Sequence, residues 1–234
     1  MSIKKLITGL TLSLLLASGV ASAADFDKGA KAAKSGDYKT ALAEWMPLAE
    51  RGNSSAQYNL GVMYDNGRGV PENDKTAVKW YTLAAEQGGV LSQYNLGVMY
   101  RNGRGVPKNQ KTAAKWLALA AEQDFPRAQY ILGNMYRTGK GVSENDKTAV
   151  KWYTLAAEQG DADAQDTLGV MYRKGRGVLT DNLRAYMWFN LGSYNGNEQA
   201  GKNKDIISKK MSYSDIQQAK YMSRRCLESS YTDC

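Results

Sequence analysis

Apolar residues recur on two scales along this chain. Within short segments they fall three and four positions apart, as Ala56, Leu60, Met63 and Tyr64 do, which gathers them on one face of a helix. Across the chain the same pattern returns every 36 residues: AQYNLGVMY at 56–64, SQYNLGVMY at 92–100, AQYILGNMY at 128–136 and AQDTLGVMY at 164–172. Trp80, Trp116, Trp152 and Trp188 keep the same beat, as do the loops Gly67-Arg68-Gly69, Gly103-Arg104-Gly105, Gly139-Lys140-Gly141 and Gly175-Arg176-Gly177. A fixed period of this length marks a repeat architecture.

Each copy predicts a helical hairpin. A first helix runs over about 54–66, and Gly67 is placed to end it in the left-handed conformation, which lacks a Cβ penalty only for glycine. Gly61, beside Leu60, leaves room for the partner helix to approach closely. Asn73 or Asp74 caps the second helix by accepting an orphan backbone N–H, and Ala77, Trp80, Tyr81, Ala84 and Ala85 form its apolar stripe before Gly88 stops it. Helices of this length are marginal in isolation, so each hairpin must bury its Trp, Tyr and Leu face against the next. The expectation is a curved all-α stack with one concave face.

The ends depart from the pattern as caps should. Residues 24–55 predict a degenerate first hairpin in which Ser35-Gly36-Asp37 replaces the long loop, residues 56–199 hold four repeats, and residues 200–234 hold capping helices. Lys204 stands where the preceding copy has Leu168, predicting a polar outer helix that stops further stacking. Ser212 and Asp215 predict a capping box, with Met211 and Ile216 as a hydrophobic staple.

The A-Q-Y-x-L-G-x-M-Y, N-G-R-G-V and K-W-Y-x-x-A-A-E-Q-G elements resemble the Sel-one-like repeat family, a relative of the tetratricopeptide repeats. The resemblance covers 56–199 well and 26–55 loosely. It implies a right-handed superhelical solenoid of stacked antiparallel helix pairs that binds other proteins, often as an adaptor in bacterial envelope processes or signalling. Cysteine-rich relatives are described as penicillin-binding or β-lactamase-like, which supplies an enzymatic alternative. Those relatives carry a cysteine pair in each repeat, and residues 56–199 carry none.

Residues 1–23 read as an address rather than structure. Lys4 and Lys5 precede an uncharged run from Leu6 to Val20, and Ala21-Ser22-Ala23 supplies the small-x-small pattern of a cleavage site. A helix of that length spans roughly 22 Å, short of the roughly 30 Å hydrocarbon core. The expectation is a cleaved signal peptide, no membrane span after cleavage, and export to the periplasm, with secretion as the alternative. Losing two lysines lowers the formal charge from +8 to +6. An exported basic chain is not expected to meet nucleic acid. Protein or peptide partners in the cell envelope, or an anionic cell-wall polymer, are the expected ones.

The chemistry-bearing residues are few. The chain has no histidine and two cysteines, which removes a Ser–His triad, the commonest general base and the usual zinc sets, and no cofactor is expected. Gly196 to Lys202 lacks the Ser/Thr and the preceding strand of a phosphate loop, and the recurring Lys-Thr-Ala lacks the glycine of K-T-G. Asp161 and Asp163 read as a solvated loop pair, and no catalytic residue is assigned. Cys226 and Cys234, in an oxidising compartment, predict a short disulfide loop that ties down the tail.

Two surfaces remain for binding. Every third or fourth residue of the first helices lies away from the core face. This gives a ladder of Asn59, Asn66, Asn95, Asn102, Asn134 and Thr138, flanked by Tyr58, Tyr94 and Tyr130. If these line the concave side, the amides can grip an extended peptide backbone while the tyrosines wall it; otherwise they are solvated, or the rings pack between repeats. The second surface is a basic edge in two rows: Arg101, Arg137 and Arg173, and Arg68, Arg104, Lys140 and Arg176. It is either a solubilising margin or a seat for an acidic ligand.

Overall fold

A computed structural model of the chain describes residues 24–234; the expected signal segment lies outside them. The described residues form twelve α-helices and no strand. They run as α1 (Phe26–Lys34), α2 (Tyr38–Glu50), α3 (Ser54–Asn66), α4 (Asp74–Glu86), α5 (Val90–Asn102), α6 (Gln110–Glu122), α7 (Pro126–Thr138), α8 (Asp146–Ala157), α9 (Ala162–Lys174), α10 (Asn182–Tyr194), α11 (Glu198–Ser208) and α12 (Tyr213–Glu228). Each helix packs chiefly on its neighbours in sequence, so the core is a string of clusters rather than one centre.

Local chemistry sets the helix ends. Asn73, Asn109, Asn145 and Asp181 cap α4, α6, α8 and α10 by accepting the N–H three residues on. The first helices of the repeats end on left-handed glycines, Gly67, Gly103, Gly139 and Gly175. The Leu-Gly step explains the tight pairing inside each hairpin. A Cβ at Gly61 would stand 2.5 Å from the Tyr81 ring, and one at Gly133 would stand 2.7 Å from Tyr153. Leu60, Leu96, Leu132 and Leu168 beside these glycines are fully buried. Each contributes about 1.5–3 kcal/mol of burial free energy.

A polar ladder threads the junctions between repeats. Gln57, Gln93, Gln129 and Gln165 are buried, and each donates its side-chain amide to the carbonyl eight residues back, on Ala49, Ala85, Ala121 and Ala157, at 2.9–3.2 Å. Their side-chain oxygens accept from Gln87, Gln123, Gln159 and Asn195 at 2.7–2.9 Å. Every rung therefore gives a second donor to a helix-end carbonyl that already accepts a backbone N–H, from Gly52, Gly88, Asp124 or Gly160.

At the C-terminal end α11 buries only Ala200, Asn203 and Ile207. Lys204 is half-buried with its Nζ 3.4 Å from the Asn190 side-chain oxygen, and Asn203 beside it is buried and donates to Asp166 at 2.7 Å. The outer face of α10 is closed by α11 and α12 together, with Ile207 of α11 in the same cluster. Ala219 and Ile216, with Met211, pack on Ala185, Tyr186 and Phe189. The capping box of Ser212 and Asp215 starts that helix. Cys226 and Cys234 stand at disulfide distance, with Cα atoms 4.7 Å apart. Tyr231, between them, shares hydrogen bonds with Asn195 and so joins the tail to the last rung of the ladder.

Candidate functional site

The outward edges of α3, α5, α7 and α9 line a series of open cavities. One of about 370 Å³ lies between the starts of α3 and α5 and includes Tyr58, Asn59 and Leu91. The largest, about 410 Å³, lies between the ends of α5 and α7 and includes Asn102, Ile131, Asn134 and Thr138. A third, about 220 Å³, follows between α7 and α9, with Thr167, Val170 and Lys174.

The ladder residues are not equally available. Asn66 donates to the Val62 carbonyl at 2.8 Å, and Thr138 donates to the Asn134 carbonyl at 2.7 Å, both within their own helices. Asn134 donates to the Tyr130 carbonyl and accepts from both Arg137 and the Tyr153 hydroxyl. Asn59 and Asn95 are half-buried, and Asn102 is exposed, accepting a long 3.4 Å contact from Arg101. The tyrosines are half-buried against other rings: Tyr58 on Tyr81, Tyr94 edge-on to Phe125, and Tyr130 on Tyr153.

The basic edge divides into paired and unpaired cations. Arg104 reaches across to the preceding repeat, 2.5 Å from Asp74 and 2.8 Å from Asp65, with Glu72 at 3.9 Å. The Asp74 hydrogen bond leads in raising the guanidinium pKa above its ordinary value. Arg176 meets Asp146 at 3.0 Å in the same way, whereas Lys140 has Gln110 opposite it, at the same spacing of 30 residues. Two members of the loop row, Arg104 and Arg176, are thus neutralised by the repeat before them.

The other row is sorted by what faces it on the second helix. Asp65 accepts from the Tyr81 hydroxyl at 3.2 Å; burial first, and then this carboxylate, push that hydroxyl's pKa far above its ordinary value. Arg137 donates its Nε to the Tyr153 hydroxyl at 3.1 Å, whose pKa burial pushes up to about 12. Arg101 has Leu117 at the equivalent place, and Arg173 has Phe189. Consistent with that, the Arg173 Nε is buried without a hydrogen-bond partner.

Of the expected solvated loop pair, Asp163 is exposed but lies in a helix, and Asp161 is half-buried. Asp161 caps α9, accepting from the Ala164 N–H at 2.9 Å, and burial raises its pKa. Asp163 lies in the first turn of α9, accepts from Asn197 at 2.9 Å, and has Arg127 at 3.8 Å. Helix capping accounts for Asp161, and the contacts with Asn197 and Arg127 for Asp163.

A family model described as "Sel1 repeat" matches residues 54–89, 90–125, 126–161 and 162–197. The chain belongs to the Sel1 repeat family. The matched frame begins two residues before the 56–199 frame read from the sequence, at the first residue of α3. A protective antigen from uropathogenic Escherichia coli, described as displaying an SLR fold, superposes with a TM-score of 0.79 at 34% identity, covering 88% of this chain and 46% of that one. A Sel1 repeat protein from Oxalobacter formigenes superposes with a TM-score of 0.72 at 37% identity, covering 75% and 72%. The "DAP3-binding cell death enhancer 1" of Rattus norvegicus is 42% identical over 50 residues, 21% of this chain and 10% of the relative. The chain thus spans about a tenth of that curated relative and under half of the E. coli antigen. No helix of the described residues is long and apolar enough to cross a membrane.

Proposed function

We propose that the protein is an exported, non-catalytic adaptor that binds a protein or peptide partner along the outward edges of α3, α5, α7 and α9. Sel1 repeat proteins are generally protein–protein interaction scaffolds, and the four matched repeats support that role here. The observation that carries the reading is the chain of cavities between successive first helices. The core face of each repeat is consumed by stacking and the helix ends by caps. The cavity-lining positions keep amides and apolar atoms open to a ligand.

Asn59 and Asn102 are the amides best placed to meet a peptide, because neither serves the fold as Asn134 does. Export rests on the reading of residues 1–23, and the periplasm is the proposed destination. Two measurements test the proposal. The mass of the purified protein should correspond to a chain beginning at Ala24, and an intact Met1 start would overturn export. A partner captured from envelope extract at high salt should be lost on Asn59→Arg with Asn102→Arg, while the melting temperature holds. Undiminished capture by that folded variant would remove binding from these edges.

A further inference from the structure

The cavity between the ends of α5 and α7 has a composition unlike its two neighbours. Arg101, Lys108, Arg137 and Lys140 all line it, together with Asn102, Gln110, Asn134 and Thr138 over a floor of Ile131 and Met135. No carboxylate lines it, and none of the four cations is ion-paired among the described residues. One junction earlier, the positions of Arg101, Lys108 and Gln110 are held by Asp65, Glu72 and Asp74, the carboxylates around Arg104. One junction later, Asp146 replaces Gln110 and neutralises Arg176. Only the middle one of these three junctions lacks an acid at every one of those positions.

The cations there are partly fixed. Arg137 is held by Tyr153 and Asn134, and Gln110 by its donation to the Arg101 carbonyl at 2.9 Å. Gathering four like charges without counter-charges opposes folding, so the fold alone gives no reason for this arrangement. A ligand carrying the missing carboxylates supplies one.

We propose that the junction of α5, α6 and α7 is the anchoring subsite for an acidic segment of the partner protein, in which at least two neighbouring Asp or Glu side chains supply the counter-charge that Asp65 and Asp74 supply one repeat earlier. This deepens the adaptor reading and rests on it. A cavity of about 410 Å³ exceeds one inorganic anion and admits a short stretch of chain. Its apolar floor suits the methylenes of glutamate. Its amides suit a peptide backbone, for which a bare phosphate has no use.

The test is fluorescence anisotropy with a labelled hexaglutamate peptide against the full chain, with hexaglutamine as the neutral control. Lys108→Glu with Lys140→Glu changes two exposed side chains and should weaken hexaglutamate binding at least tenfold. Lys220→Glu with Arg224→Glu, an equal charge change on exposed positions of α12, should leave it within about twofold. Equal losses in both variants would reduce the effect to net charge and overturn the site. So would equal affinity for hexaglutamine, or displacement by pyrophosphate at lower concentration than by unlabelled hexaglutamate. Should the first variant fail to fold, Arg101→Gln supplies the same comparison, with a smaller expected loss of about threefold. Partner capture separates the two readings: a partner retained by Lys108→Glu with Lys140→Glu but lost on Asn59→Arg with Asn102→Arg would overturn the acidic anchor and leave the adaptor standing.

Discussion

The junction between the first and second repeats and the junction between the second and third share a skeleton and differ in charge. In both, a left-handed loop glycine, Gly105 or Gly141, seats the loop against the backbone at the start of the preceding second helix, at Asp74 or Gln110. Both bury the same leucine and methionine, Leu96 with Met99 and Leu132 with Met135. Around those shared atoms the first junction sets three carboxylates about Arg104, while the next sets Arg101, Lys108 and Gln110 about Lys140. Backbone geometry is therefore decided by the buried positions. The charge around each junction is set by three others, one exposed and two half-buried, which change between repeats while the stack stays the same.

The largest effects test the shared half of that statement. Leu96→Ala and Leu132→Ala each remove a fully buried side chain from one of the two junctions and should cost about 2–5 kcal/mol, similar to each other. Urea unfolding of the two variants measures it. A much smaller loss at Leu132 would mean that the charged junction is already loosely packed.

Next in size is the polar ladder. Gln129→Ala removes two buried hydrogen bonds, one of the donors to the Ala121 carbonyl, which keeps the Asp124 N–H, and the acceptor for Gln159. The expected loss is about 1–3 kcal/mol, and amide exchange should rise at Gly160 and Asp161, around the rung. Gln93→Ala should behave alike, since this rung is common to both junctions. A neutral result would make the ladder a consequence of stacking rather than a contributor to it.

The stack was legible in the sequence because its arithmetic rests on side chains that pack in the core, Leu60, Trp80 and Tyr81, with Gly61 and Gly67 marking close approach and helix end. The glutamine ladder was not, because a polar residue at a buried position breaks the hydrophobic rhythm used to find buried positions. Its signal was nevertheless present, since Gln57 and Gln87 stand 30 residues apart and the spacing recurs at Gln93 and Gln123. The cationic rows were visible as rows. Which members were neutralised was not, because that depends on the residue 30 positions earlier and on the geometry that brings it across the junction. For the tyrosines beside the asparagine ladder the sequence left a peptide wall and ring packing both open, and each ring packs on a neighbour, Tyr81, Phe125 or Tyr153.

A smaller effect comes from the series of residues that face the second helix. Tyr153 gives Arg137 an acceptor, and Phe189 denies one to Arg173, whose Nε is buried. Phe189→Tyr should restore the bond and stabilise the chain by about 1 kcal/mol, read as a raised denaturation midpoint. The added hydroxyl stands at the place where Tyr153 holds its own, so overpacking is not expected. A destabilised variant would show that the ring of residue 189 sits differently from its counterpart in the third repeat.

The smallest effect goes to the heart of the difference between the junctions. Arg104 is about two-fifths exposed and Asp74 about three-tenths, so solvent screens much of their attraction. A double-mutant cycle of Asp74→Asn with Arg104→Gln should give a coupling of about 0.5 kcal/mol at low salt, declining as salt is added. The cycle is needed because Asp74 also begins α4, where a carboxylate favours the helix N-terminus whatever Arg104 does. The same cycle on Gln110 and Lys140 should give no coupling. Gln110→Asp should create one with Lys140 and weaken hexaglutamate binding together, because the new carboxylate would occupy the place reserved for the partner's acid. Stability gained without loss of binding would show that the ion-pair position and the ligand position are distinct, and would confine the likeness between the two junctions to their backbones.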